Sequence, residues 1–183
     1  KEIAKQAGVF AEGLWNTGTT MADVNGDGLV DIYVCRSAAS NPEKRKNLLF
    51  INNGDLTFTE KGSKFGVDDS GFTTQGAFFD YDNDGDLDLY VLNHSVLEYS
   101  TLGKMSSYHK KLKNNAYSDK LLRNDNGKFV DVTDDSGLIS NILGFGLGIA
   151  LSDINNDGFI DIYVSNDFNE QDYLYLNNGD GTF

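Results

Sequence analysis

The sequence predicts an all-β chain made of three consecutive repeats of four short strands each. Two observations support this prediction: an acidic nine-residue loop recurs three times, and short β-branched or aromatic stretches flank every copy. The composition agrees, because the 183 residues include 20 glycines and only one proline. Short strands joined by tight turns are therefore the predicted architecture.

The three acidic loops share one pattern of oxygen-bearing side chains. Asp or Asn occupies positions 1, 3, 5 and 9 of each loop, and glycine occupies position 6. Hard cations, Ca²⁺ above all, take six to eight oxygen ligands in such loops, often including a backbone carbonyl at position 7. The predicted side-chain ligands are Asp23, Asn25, Asp27 and Asp31; Asp80, Asp82, Asp84 and Asp88; and Asp153, Asn155, Asp157 and Asp161. The predicted carbonyl ligands are those of Leu29, Asp86 and Phe159.

The residues that follow each loop exclude an EF-hand. That motif requires a bidentate Glu at position 12 and continues as a helix. Position 12 is instead valine in all three copies, namely Val34, Val91 and Val164. The surrounding residues are β-branched and aromatic, so each loop is predicted to join two strands. We expect three bound Ca²⁺ ions in a structural role, tightest in the second loop because it has four ionised ligands against three in the others.

The rest of each repeat has the pattern of a β-propeller blade. After the post-loop strand, a second hydrophobic run leads to an Asn- and Gly-rich turn and to a strand that opens on Phe58, Phe129 or Phe183. Four antiparallel strands per repeat are typical of propeller blades. The predicted fold is one domain over 1–183, with repeats at approximately 1–58, 59–129 and 130–183. Three blades do not close a propeller, so we expect the remaining blades in a longer parent chain.

These residues resemble FG-GAP repeats of the VCBS type, known from the integrin α-subunit propeller. More narrowly, the stretches 119–124, 144–148 and 163–168 are similar to the bacterial relatives of cartilage acidic protein, the ASPIC/UnbV type. The resemblance covers the whole chain. It implies a secreted or surface-exposed calcium-binding propeller, associated with the outer membrane where the source is a bacterium, that binds protein or glycan ligands in adhesion.

Charge and cysteine content narrow the class of protein further. The formal net charge is −13, which argues against nucleic acid and anionic membranes as partners. No stretch approaches the ~20 apolar residues of a membrane span. The single cysteine, Cys35, permits no intrachain disulfide and is predicted to be a small hydrophobe at a strand end.

The sequence contains few candidate catalytic residues. His94 and His109 are the only histidines, and no second ligand set accompanies them, so both are predicted to be solvated. A non-catalytic binding module is the favoured interpretation. The alternative is a calcium-dependent polysaccharide lyase or hydrolase with its active site on the propeller face.

The long connection from Asn93 to Asp119 is the candidate partner surface. It is locally basic and contains Tyr99, Tyr108 and Tyr117. As a connection between the second and third strands of a meander, it is expected opposite the metal loops, with Lys110, Lys111 and Lys113 as its charged edge. The repeated tyrosines Tyr33, Tyr90 and Tyr163 are predicted to pack between blades.

Overall fold

The computed structural model describes residues 1–11, 15–97, 109–167 and 170–183. The described residues form three antiparallel sheets in chain order, and they confirm the all-β prediction. Sheet 1 contains β1 (Asn16–Ala22), β2 (Asp31–Arg36), β3 (Leu48–Asn52) and β4 (Phe58–Glu60); sheet 2 contains β5 (Thr73–Phe79), β6 (Asp88–Asn93), β7 (Lys120–Asn124) and β8 (Phe129–Asp131); sheet 3 contains β9 (Gly146–Ser152), β10 (Asp161–Asn166) and β11 (Tyr173–Tyr175).

Each sheet is a simple meander in which neighbours in sequence are neighbours in space. The first two strands of each sheet pair so that the ends of the acidic loop face each other, as Phe79 faces Asp88 in sheet 2. At the other end of the same strand pair, Thr73 faces Asn93. This register places every acidic loop at one end of its sheet and the connection after the second strand at the opposite end.

The sheets pack face to face, with their first strands side by side. Strand β1 contacts β5, and β5 contacts β9. A hydrophobic core fills the space between sheets 1 and 2, and a second core fills the space between sheets 2 and 3. This arrangement, two four-stranded meanders followed by a three-stranded one in the described residues, is consistent with a β-propeller-like fold.

The repeated tyrosine shows how packing depends on the neighbouring sheet. Tyr33 and Tyr90 are fully buried in the first and second cores, as predicted. Tyr163 is 41 % exposed, so the prediction that it packs between blades is wrong for this residue. The reason is positional, because no other sheet of the described residues covers the face of sheet 3 on which Tyr163 lies.

Short helical turns at the blade boundaries were not predicted. The helices α1 (Ala4–Ala7) and α2 (Gly62–Phe65) each end at a glycine with positive φ, Gly8 and Gly66. A Cβ on Gly8 or Gly66 would lie 3.1 or 3.0 Å from the carbonyl oxygen that opens β4 or β8. The glycine therefore serves both the left-handed turn and the close approach of the next sheet.

Two smaller predictions have clear outcomes. Cys35 is buried in the core between sheets 1 and 2, which agrees with its predicted hydrophobic role, and burial raises the pKa of its thiol. In the described residues, no helix is both long and apolar enough to span a membrane.

Candidate metal centres

The three acidic loops adopt the same backbone conformation. In each loop the residues at positions 4 and 6 have positive φ; the six residues are Gly26 and Gly28, Asn83 and Gly85, and Asn156 and Gly158. Asparagine and glycine are the residue types that tolerate this region best. Two left-handed residues separated by one position curl the chain, so that side chains at positions 1, 3 and 5 surround the loop interior.

The carboxylate at position 1 organises the turn. In the second loop, Asp80 accepts hydrogen bonds from the backbone N–H groups of Asp84 at 3.1 Å and Gly85 at 3.0 Å. The first and third loops repeat both bonds at 2.7–3.1 Å. The carboxylate at position 5 in turn accepts from the N–H at position 7 in every copy. The loop conformation is thus fixed by its own side chains.

The carboxylate at position 9 connects the loop to the sheet. Asp88 is fully buried, and its oxygens accept hydrogen bonds from the backbone N–H groups of Tyr81 at 3.0 Å and Asn124 at 2.8 Å. Asp31 and Asp161 make the equivalent bonds in their repeats. Burial raises the pKa of Asp88 to about 7 against the effect of these two donors, with smaller contributions from the negative charges of Asp82 and Asp86.

The second loop differs from the other two at position 3. Asn25 and Asn155 each donate an Nδ2 hydrogen bond to the position-5 carboxylate, at 2.9 and 2.7 Å. Asp82 has no such donor, and its Oδ1 is buried without a hydrogen-bond partner. Desolvation, followed by repulsion from Asp84, raises the pKa of Asp82. At this position the first and third loops have an internal hydrogen bond, whereas the second loop has an additional negative charge without a donor.

Carboxylate oxygens converge in this second loop. One oxygen from each of Asp80, Asp82 and Asp88 lies within 4.8 Å of the others. In the part of the chain that the structure describes, the carboxylates of the first and third loops form no such group. The donors are hard, anionic oxygens, and one of the three residues, Asp82, has a buried oxygen without a hydrogen-bond partner, so the residues fit a hard cation such as Ca²⁺.

The comparison with known families agrees with this geometry. Residues 23–91 match the FG-GAP-like repeat family. The match begins at the first residue of the first loop and ends in β6, so it includes the first two acidic loops and the strands between them. No curated protein matches the chain. The narrower resemblance to the ASPIC/UnbV type stays a prediction.

In the three repeats of this chain, position 7 lies at the hairpin turn of the same sheet. The side chains of Leu29 and Phe159 lie against Gly54 and Gly179. Asp86 takes this place in the second repeat, next to Asn126. The predicted backbone carbonyl ligands at this position stay a prediction.

Hydrogen bonds connect the second acidic loop to the third repeat, whereas a cavity separates it from the first loop. Asn83 of the second loop donates a hydrogen bond to the carbonyl oxygen of Gly158 in the third loop at 3.1 Å, and Asn177 donates to the carbonyl of Tyr81 at 2.7 Å. Between the first and second loops lies a cavity of about 590 Å³, whose lining includes Asp23 and Asp86.

Sequence reasoning missed a second set of repeated polar residues. Three asparagines, at the end of the third strand or just after it, close the acidic loops. Their backbone N–H groups donate to the position-9 carboxylate, and their side chains donate to a carbonyl of the loop; they are Asn52, Asn124 and Asn177. The signal was present in the sequence, since an asparagine ends the third hydrophobic run in every repeat.

The described parts of the long connection lie at the end of sheet 2 opposite its acidic loop. The backbone N–H of His94 binds the carbonyl of Phe72, and the N–H of Phe72 binds the carbonyl of Ala116. Both contacts are at the Thr73–Asn93 end of the strands, as predicted. Tyr99 and Tyr108 lie outside the described residues.

The lysines of this connection are largely engaged within the chain. Lys110 Nζ lies 2.9 Å from Glu170 Oε1, and Lys113 forms an ion pair with Asp134. The Glu170 side chain is only 1 % exposed, which opposes its ionisation, but hydrogen bonds from Lys110 and Asn141 outweigh burial and lower its pKa. Lys111 is exposed, and within the described residues it has no ion pair.

The histidine prediction needs a correction at His94. This residue is partly buried, and its ring packs edge-on against Phe145 at 4.7 Å between centroids. Nδ1 lies 2.7 Å from the carbonyl oxygen of Ser95. His94 is therefore a packing residue between sheets 2 and 3 rather than a solvated one. The side chain of His109 lies outside the described residues.

Proposed function

We propose that this chain is a calcium-binding repeat module, without catalytic activity, that binds protein or glycan partners outside the cell. The observation that carries the calcium proposal is the second loop, where carboxylate oxygens from three residues converge and Asp82 Oδ1 is buried without a partner. A cation there would be held by Asp80, Asp82 and Asp88, and would supply the positive charge that the loop lacks. The shared fold of the first and third loops extends the proposal to them.

Calcium would act on stability in this proposal, because position 9 links each loop to the third strand of its sheet. A ligand that binds only the folded state stabilises it by RT ln(1 + [L]/Kd). With ~1 mM Ca²⁺ and a Kd of about 10 μM, each occupied site adds about 2.7 kcal/mol.

Thermal unfolding in about 1 mM Ca²⁺, in about 1 mM Mg²⁺ and in excess EGTA tests the proposal. Isothermal titration with Ca²⁺ counts the sites. We expect the highest melting temperature in Ca²⁺ and a smaller effect of Mg²⁺, which demands a stricter octahedral geometry. Coincident melting curves in Ca²⁺ and EGTA would contradict the calcium proposal.

The partner proposal concerns the end of sheet 2 opposite the loops. Lys110 and Lys113 have intramolecular carboxylate partners, so Lys111 is the member of the predicted charged edge best placed to meet an acidic ligand. Binding of sulfated and uronic-acid polysaccharides to wild type and to Lys111→Glu tests this, with Lys128→Glu as a charge-matched control on another turn. Equal binding by all three proteins would contradict a role for Lys111.

A further inference from the structure

A small cavity lies at the end of the sheets opposite the acidic loops, where three connections meet. Its volume is about 250 Å³. Sites for drug-sized ligands measure about 300–1,000 Å³, so this cavity suits a group about the size of one sugar ring. The lining residues come from the three connections and from the start of β11; they are Lys110, Ile139, Asn141, Glu170, Gln171 and Tyr173.

The cavity contains a buried carboxylate. The side chain of Glu170 is 1 % exposed, its Oε1 accepts from Lys110 Nζ at 2.9 Å, and its Oε2 accepts from Asn141 Nδ2 at 2.7 Å. Burial opposes ionisation, but these two bonds and one from Tyr173 outweigh burial and lower the pKa, so Glu170 is ionised at neutral pH. A buried ion pair contributes little net stability, whereas charged groups in a cavity are typical of binding sites.

The ion pair presents an acceptor and a donor side by side. A carboxylate has about four acceptor positions, and three are engaged in Glu170. A lysine ammonium has three N–H donors, one of which Lys110 directs to Glu170, and the Lys110 side chain is half exposed. A hydroxyl group both donates and accepts, so two neighbouring hydroxyl groups of a sugar match this pair.

The remaining features of the cavity favour an uncharged ligand with an apolar face. The lining has one positive and one negative side chain, so an anion would meet Glu170 and a cation would meet Lys110. Ile139 is 46 % exposed at the edge of the cavity and offers an apolar surface. A pyranose ring combines hydroxyl groups with an apolar C–H face, and ligand sites commonly pair apolar walls with a few polar groups.

We propose that this cavity binds one neutral sugar residue of a glycan. Glu170 and Lys110 bond to neighbouring hydroxyl groups, and Ile139 packs against the apolar face of the ring. The inference rests on the glycan-binding part of the proposed function, and it adds the class of glycan and the place of binding. It is separate from the role of Lys111, which concerns an acidic ligand at an exposed charge.

The experiment uses neutral oligosaccharides of glucose, galactose and mannose, with polygalacturonate as the anionic probe. Saturation-transfer NMR detects binding, and isothermal titration measures the affinity. Glu170→Gln should weaken binding of the neutral sugar at least about tenfold, because a hydrogen bond to a charged group is lost. Ile139→Ala should weaken it about fivefold through lost apolar contact, and its exposed position leaves the fold intact if the first variant does not fold. Ile154→Ala is the matched control, since it makes the same change at an exposed position in the third acidic loop and should bind like wild type.

The outcomes separate this inference from the function on which it rests. If no neutral oligosaccharide binds to wild type, or if Glu170→Gln and Ile139→Ala bind it as tightly as wild type, the inference is overturned. Tighter binding of polygalacturonate by Glu170→Gln than of any neutral sugar by wild type would also overturn it, because the carboxylate would then repel the true ligand class. The calcium proposal stands in each of these cases, since the melting curves in Ca²⁺ and EGTA test it independently.

Discussion

The variant Asp119→Asn measures how much a buried carboxylate lowers the free energy of unfolding. Sheet 1 already has an asparagine at the equivalent position. Asp119 accepts hydrogen bonds from the backbone N–H of Asn93 at 2.8 Å and the hydroxyl of Tyr90 at 3.1 Å. In sheet 1 the corresponding residue is Asn47, whose Oδ1 accepts from the N–H of Arg36 at 2.7 Å and whose Nδ2 donates to the hydroxyl of Tyr33 at 2.9 Å. Asparagine therefore bonds to the same two groups without a charge, with the tyrosine hydroxyl as acceptor instead of donor.

The magnitude follows from the titration of Asp119. Burial raises the pKa of its carboxyl to about 7, against the two hydrogen bonds, whereas an unfolded aspartate titrates near ~3.9. The folded state thus holds a proton that the unfolded state releases at lower pH. The resulting stability is fully present below about pH 4 and is lost as the pH rises to about 7. Between about pH 5 and pH 8 the free energy of unfolding of the wild type should fall by about 2–3 kcal/mol through this group. Asp119→Asn has no titrating group at this position and should not show this loss.

Urea unfolding of both proteins at about pH 5 and pH 8, in calcium-free buffer, measures this difference. Asp172→Asn is the control, because Asp172 makes the same two bonds in sheet 3 but is exposed, and its hydrogen bonds from Asn166 and Tyr163 lower its pKa. The control should show no gain at the higher pH. If the stability difference between Asp119→Asn and wild type is the same at both pH values, the buried-charge argument is refuted.

Two further pairs of variants compare equivalent repeat positions. Tyr90→Phe should cost about 1–3 kcal/mol by urea unfolding, because a buried acceptor loses its donor, while Tyr163→Phe should cost less than about 0.5 kcal/mol at its exposed position; equal losses would show that burial is not the cause. Gly18→Ala should cost about 1–3 kcal/mol, because its Cβ would lie 2.4 Å from a backbone oxygen of β5. Gly148→Ala should cost less, because the nearest atom is a side-chain hydroxyl at 3.2 Å, and a similar loss would contradict the steric argument.

The local structure was largely predictable, because the acidic loop fixes the register of each repeat. Once position 9 is known, the next residues must form the second strand, and the structure has β2 at Asp31–Arg36 where the sequence indicated a strand from Asp31. The second hydrophobic run of the first repeat is observed as β3, Leu48–Asn52. The turn of the acidic loop was also predictable, because glycine stands at position 6 of every copy and has a positive φ there.

Contacts between distant segments were not predictable. The partners of Lys110 and Lys113, which are Glu170 and Asp134, come from segments far along the chain, and no local pattern indicates them. The exposure of Tyr163 depends on which sheet lies next to it, not on the residues around it. The sequence shows that position 3 is Asp in the second loop and Asn in the other two. That this change leaves a carboxylate oxygen without a hydrogen-bond partner is visible only in the structure.

The unequal links between neighbouring loops have a mechanical consequence. Asn83 and Asn177 fasten sheet 3 to sheet 2 at the loop end, whereas a cavity occupies that end of the boundary between sheets 1 and 2. We expect the loop end of the first boundary to open more readily than that of the second, because in the described residues no hydrogen bond joins the first loop to the second. Amide hydrogen exchange should then be faster in the first loop than in the third. The three repeats, nearly identical in sequence pattern, would then differ in how readily their loop ends separate.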